Sequence, residues 1–197
     1  MVLRGAVFQN GNGGTFFDLV KKNSIGLSAN YLNFNDLADC EYLTEKIYDM
    51  QEVCAKEGIT VKTAMFADIN GISMGQRDAM LANGVEFLYT NIHTHHGMYP
   101  LYQNQKPYFW ENEDGKRLLV WSGEHYNLGN ALGIVFNKNV NFMTENYFGK
   151  AQGDVAGPLE KLHSNLIASM EEYEENGYPY DFYITSVSGV FSDNAPI

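Results

Sequence analysis

The sequence predicts an α/β fold built on a parallel sheet. Strand-like and helix-like segments alternate along most of its 197 residues, the pattern of parallel strands joined by helical crossovers. The helical segments carry their own start and stop residues. Asn35 and Asp36, Asp68, the run His93-Thr94-His95-His96, and Asp193 each fall just past the carboxyl end of a strand-like segment. In parallel α/β sheets and barrels those ends converge on one face, where sites are built. The expected strand order follows the chain, with Asp68, His95 and Asp193 on one rim.

Residues 2–8 read as a first strand. The turn Gly11-Asn12-Gly13-Gly14 leads to a short helix over 16–22, and residues 25–32 read as a second strand. A helix over 40–57 follows, with Asp39 as N-cap and Gly58 at its end. Leu43, Ile47, Met50 and Cys54 recur at helical spacing and form its apolar face. Residues 60–67 are strand-like. Ser73-Met74-Gly75-Gln76 has the form of a capping box for a helix over 74–83, which Gly84 ends. Residues 85–92 make the next strand, and 107–111 with 117–121 a hairpin around Asp114-Gly115. The Gly- and Asn-rich stretch 123–157 takes no assignment. Pro158 suits the start of a last helix, with Leu159, Leu162, Leu166, Met170 and Tyr173 as its apolar face and Gly177 and Pro179 at its end. Residues 181–188 read as a final strand.

Composition narrows the function. Thirteen Lys and Arg against 24 Asp and Glu give a net charge of −11, which disfavours a nucleic-acid phosphate track or an anionic membrane surface as partner. No apolar run approaches the ~18 residues of a membrane span, and the first five residues lack the apolar core of a signal peptide. Cys40 and Cys54 fall on one predicted helix, ~21 Å apart along its axis and beyond disulfide reach. Two unpaired thiols suit a reducing compartment, so a cytoplasmic location is expected. The chain has no GxGxxG, no GxxxxGK[ST] and no GxSxG.

Asp68 follows an apolar strand and precedes Asn70-Gly71, where the chain must turn. A carboxylate there serves as nucleophile, general base or metal ligand, or simply as the residue that makes the turn. The histidines of 93–96 offer imidazole nitrogens to a metal, with partners such as Asp68 or His125, or orient substrate hydroxyls through hydrogen bonds. Trp110, Trp121, Tyr108, Phe109 and Tyr126 surround the hairpin. Their rings suit stacking on sugar C–H surfaces, or packing of an amphipathic hairpin. Asp193-Asn194 is a turn or a ligand contact.

Taken together, residues 57–97 resemble the N-terminal catalytic domain of glycoside hydrolase family 38, the α-mannosidases. The stretch runs from Glu57-Gly58-Ile59-Thr60 through Phe66-Ala67-Asp68-Ile69-Asn70-Gly71 and Asn83-Gly84-Val85-Glu86-Phe87-Leu88 to Asn91-Ile92-His93-Thr94-His95-His96-Gly97. The likeness continues through Pro107-Tyr108-Phe109-Trp110-Glu111 and Leu119-Val120-Trp121. Tyr31–Phe34, His95–Gly97 and Asp193–Pro196 are similar to segments of a divergent bacterial branch. The resemblance implies a seven-stranded β/α barrel, similar to that of the polysaccharide deacetylases, and a retaining hydrolysis of glycosidic bonds assisted by zinc. It places Asp68 on the nucleophile that also ligates zinc. It makes Asn35, Asp36, His95, His96, Trp110, His125, Asp193 and Asn194 candidate contacts to a carbohydrate substrate. The chain departs from the pattern in having no His-x-Asp, which in that family supplies two zinc ligands from the first strand. Residues 1–197 are therefore expected to form a single incomplete catalytic barrel, lacking the first strand and the end of the barrel, with the rest of the same polypeptide as partner. A degenerate carbohydrate-binding barrel and a metal-dependent, deacetylase-like hydrolase are the alternatives.

Overall fold

The computed structural model describes residues 16–30, 38–69, 71–91, 105–125, 128–132, 159–182 and 184–186. The expected strand over 2–8 and the turn Gly11–Gly14 lie outside the described residues. The elements are α1 (Phe16–Lys21), α2 (Cys40–Lys56), β1 (Thr63–Ala67), α3 (Met74–Ala82), β2 (Phe87–Asn91), β3 (Lys106–Glu111), β4 (Arg117–Ser122), α4 (Leu128–Leu132) and α5 (Leu159–Glu175). The chain divides into two compact units, residues 1–90 with 107–121 and residues 91–106 with 122–197.

The first unit holds nearly all of a four-stranded, mostly parallel open sheet in the order β1-β2-β4-β3. The α/β class is as expected, but the strand order does not follow the chain. The cause is the hairpin. β4 runs parallel to β2, with the Leu119 N–H donating to the Glu86 carbonyl, and β3 folds back antiparallel to become the edge. A four-residue turn from Asn112 to Gly115 makes the reversal: the Gly115 N–H donates to the Asn112 carbonyl, and Gly115 takes a left-handed φ of +76°.

One face of this sheet forms the core. Ala64 and Phe66 of β1, Leu88 of β2, and Leu118 and Val120 of β4 alternate along their strands and are buried. Leu43, Ile47 and Cys54 of α2 and Ala79 and Met80 of α3 belong to the same cluster, and Met50 packs at its margin. The expected apolar face of α2 is thus the buried one. Asp39 caps that helix as expected, its carboxylate accepting from the Tyr42 N–H at 2.7 Å. Ser73 caps α3 by accepting from the Gln76 N–H.

α2, α3 and α5 end alike. In each, a left-handed glycine (Gly58, Gly84, Gly177) donates to the carbonyl three residues before it, and the next residue donates to the carbonyl five before itself. This closure satisfies carbonyls that the helix leaves open and needs a positive φ that a Cβ resists. The residue after the glycine then meets the last turn. Val85 and Met80, which share one of these hydrogen bonds, are both buried in the core.

In two segments expected as strands, the described residues are irregular. Residues 25–30, the described part of 25–32, run beside β1 but join it through a mixture of bonds. The Ala29 N–H donates to the Thr63 carbonyl, the Ser28 hydroxyl accepts from the Met65 N–H, and the Asn30 amide donates to the Met65 carbonyl. Side chains here make two of the bonds that a backbone ladder would make. In the second unit, the described residues 181, 182 and 184–186 of the expected strand 181–188 are likewise irregular. The Gln105 side-chain amide both donates to and accepts from the backbone of Ile184, and the Asn91 amide donates to the Ser186 hydroxyl.

Within the second unit, α4 occupies part of the stretch that the sequence left unassigned, and the Asn165 amide of α5 donates to the carbonyl of Leu132. Of the expected apolar face of α5, Leu166 and Tyr173 are half-buried. Ser169 is buried, whereas Met170 is exposed.

The core assignment has a direct test. Leu118, fully buried on β4, should cost about 2–5 kcal/mol of unfolding free energy when cut to Ala. Phe109, 64% exposed on β3, should cost under about 1 kcal/mol. Urea melts of both variants check the ranking, and equal losses would refute the assignment of the faces.

Candidate functional site

Asp68 is the first residue beyond β1. Its φ is +64°, in the left-handed region. Few residues other than Gly adopt this readily, and Asp and Asn are the main exceptions. The neighbours explain how the turn is held. Ile69 and Ile72 both pack against the core cluster, pinning the chain on either side of Gly71, which is itself left-handed at φ +90°. The Asp68 side chain is exposed. A carboxylate is thereby presented to solvent at the carboxyl end of a parallel strand, with Ile69 next to it packed against the core.

Trp110 is placed elsewhere. The Leu119–Glu86 and Phe87–Lys62 hydrogen bonds set the strand register. The hairpin turn comes at the end of the sheet where β1 and β2 begin, and Trp110 stands two residues before that turn. Six strand residues, about 20 Å, separate the level of Trp110 from that of Asp68, and the structure does not bring the two together. The ring of Trp110 packs on the core, and the Arg77 guanidinium lies 5.3 Å from its centroid. Arg77 is itself buried. It donates to the Glu111 carbonyl at 2.9 Å and pairs with Asp78 at 2.8 Å. Sequence reasoning missed Arg77. Its position in α3, between Gln76 and Asp78, carried no mark of a partner on the hairpin.

His125 belongs to the second unit and is 1% exposed. Its carbonyl accepts from the Leu128 N–H where α4 begins. Its imidazole is enclosed rather than presented to solvent. Asn35, Asp36, His95, His96, Asp193 and Asn194 lie outside the described residues. The cysteines are both free, Cys40 exposed and Cys54 buried. Burial pushes the Cys54 thiol up, which keeps it protonated and unreactive.

The resemblance implies zinc. Among the described residues, no group of three or more His, Cys, Asp or Glu side chains is placed to hold a metal ion. The described residues by themselves therefore do not form that centre. Among the described residues, no helix is long and apolar enough to cross a membrane.

No family model matches the chain, and no curated protein matches it.

The Arg77 clamp predicts a local effect. Arg77→Ala removes a buried hydrogen bond and a cation–π contact, at a cost of about 2 kcal/mol. With Trp121 replaced by Phe, the emission of Trp110 should shift to the red as its ring is uncovered. Arg77→Lys should recover little, since an ammonium cannot stack as a planar guanidinium does. Wild-type stability and emission in Arg77→Ala would show that the clamp holds nothing.

Proposed function

We propose that this chain is part of a retaining, α-mannosidase-like glycoside hydrolase acting on a carbohydrate substrate, with Asp68 as the nucleophile. The observation that carries the reading is the exposed Asp68 carboxylate at the carboxyl end of β1, on a left-handed turn anchored by Ile69 and Ile72. Rigid support and solvent access are what a group that attacks substrate needs. The likeness of residues 57–97 to the glycosidase family is the second support, and it places the nucleophile at the same residue.

A finer fold reading goes with it. The strands are apolar on both faces. Met65 of β1, Phe87 of β2 and Phe109 of β3 lie on the face away from α2 and α3 and are exposed. Apolarity on both faces belongs to parallel sheets that are covered on both sides, and a closed β/α barrel is one such arrangement. We read the sheet as part of a barrel of the glycoside hydrolase and deacetylase type. The two free thiols support a reducing, cytoplasmic setting.

In the proposed reaction the Asp68 carboxylate attacks the anomeric carbon as a second carboxyl group protonates the departing oxygen. A glycosyl ester of Asp68 forms, and water hydrolyses it with net retention. Asp68 needs its negative charge for attack and for stabilising the oxocarbenium-like transition state.

The left-handed backbone makes the test clean. Asn and Gly both accept a φ of +64°, so Asp68→Asn and Asp68→Gly should keep the melting temperature of the parent. In the full-length protein, turnover of an aryl α-mannoside should fall at least about 10³-fold in both. A 2-fluoro mannosyl fluoride should leave a covalent adduct on the peptide that contains Asp68. Undiminished turnover in Asp68→Asn would return Asp68 to the role of a turn residue. Sugar binding without turnover in the wild type would favour the binding-barrel alternative, and metal-dependent release of acetate the deacetylase one.

A further inference from the structure

The end of α5 and the segment after it form a second candidate site, wholly within the second unit and independent of the glycosidase reading. Gly177, left-handed at φ +76°, turns the chain out of the helix, and the Tyr178 N–H donates back to the Tyr173 carbonyl. That closure brings the two rings together, with centroids 5.1 Å apart and planes at 58°. The chain then continues through Tyr178, Tyr180 and Phe182, alternate residues. Their rings follow one another at 5.3 Å and 5.7 Å. Between this row and the last turns of α5 lies a cavity of about 420 Å³, which Glu174 and Asp181 also line.

The chemistry of the lining is one-sided. Four aromatic rings and two carboxylates contribute, and among the described residues no Lys, Arg or His lines the cavity. A third carboxylate backs the row, since the Tyr173 hydroxyl donates to Glu124. Aromatic faces are negative at their centres. Rings set at angles to one another, with carboxylates beside them, create a negative potential in an apolar wall. The Tyr178 hydroxyl is buried, with no hydrogen-bond partner among the described residues. Burial and the neighbouring Tyr180 push its phenol up, so it stays a neutral donor. Tyr180 and Phe182 are partly exposed and keep the cavity open to solvent.

We propose that this cavity binds a small organic cation of the alkylammonium class. Methyl groups on nitrogen would contact the ring faces, and Glu174 and Asp181 would complement the charge. A neutral apolar ligand would use the rings but gain nothing from the carboxylates. A sugar would want flat, exposed stacking faces, whereas Tyr178 and Tyr180 meet edge to face, with planes at 74°.

The experiment is an NMR titration of the full chain with choline and, separately, with its uncharged isostere 3,3-dimethylbutan-1-ol. Methyl α-mannoside serves as the sugar probe. Choline should shift the resonances of Tyr178, Tyr180 and Phe182, and the isostere should bind at least about fivefold more weakly. Tyr180→Leu and Glu174→Gln should each weaken choline binding severalfold, while Tyr180→Phe, which keeps the ring, should retain it. Far-UV circular dichroism checks that every variant is folded. Equal binding of choline and its isostere would reduce the cavity to an apolar crevice and overturn the proposal. So would binding of the mannoside at these residues without choline, or binding of none of the three.

Discussion

The fold of the first unit depends on one-sided burial at β2. This strand has neighbours on both edges, β1 and β4, and carries Leu88 into the core. α3 is the crossover between β1 and β2, so its length and caps decide whether the two strands can lie parallel. Ser73 starts it and the Gly84 closure stops it, and the chain re-enters the sheet at once, with the Glu86 and Phe87 N–H groups both donating to the Lys62 carbonyl. α2 and α3 then bury Leu43, Ile47, Cys54, Ala79 and Met80 against the strand faces. At roughly 1.5–3 kcal/mol for each large buried side chain, this apolar cluster outweighs the ion pairs of the surface. Lys21–Glu57 and Lys62–Glu86 are both exposed, and such pairs contribute about 1 kcal/mol at most.

The presentation of Asp68 is a by-product of the same burial. Ile69 and Ile72, on either side of the turn beyond β1, both pack against the core. A left-handed residue at the first position beyond the strand turns the chain. Asp meets that demand and leaves a carboxylate outside. Strain of this kind persists only where surrounding packing over-determines it, and here two isoleucines supply the packing.

Much of this was legible in the sequence, and the failures have identifiable causes. The helices over 40–56 and 74–82 were readable because apolar periodicity, N-cap and terminal glycine agreed at each. The hairpin was readable from Asp114-Gly115. The strand order was not, because a hairpin partner can insert on either side and nothing local decides which. Residues 25–30 alternate like a strand, yet hold their place beside β1 through Ser28 and Asn30, and residues 184–186 hold theirs through Gln105 and Asn91. Period-two alternation reports which residues face inward, and does not report whether backbone or side chains make the hydrogen bonds. Trp110 was a carbohydrate candidate by residue type, and only the register showed it about 20 Å along the sheet from Asp68. The aromatic row at 178–182 had a visible signal, three rings at alternate positions after a glycine, which was absorbed into the helix end and the strand that followed.

The attachment of residues 184–186 also bears on the order of assembly. Gln105 and Ile184 are 79 residues apart in the chain, and Asn91 and Ser186 are 95 apart. Closing loops of that size costs configurational entropy before any contact repays it. The reward is a few side-chain hydrogen bonds, with no ladder to make them cooperative. Such a junction consolidates after the helices and the β1-β2 crossover, whose contacts are local, and it is among the first to open. The Ile184 amide, held by a side chain, should therefore exchange with solvent deuterium through small local openings, while the Leu88 amide waits for global unfolding. Should both amides exchange at the same rate, the two regions form a single cooperative unit instead. On this account residues 184–186 are the late and weakly held junction of the second unit, a built-in place where order can be lost while the helices and strands persist.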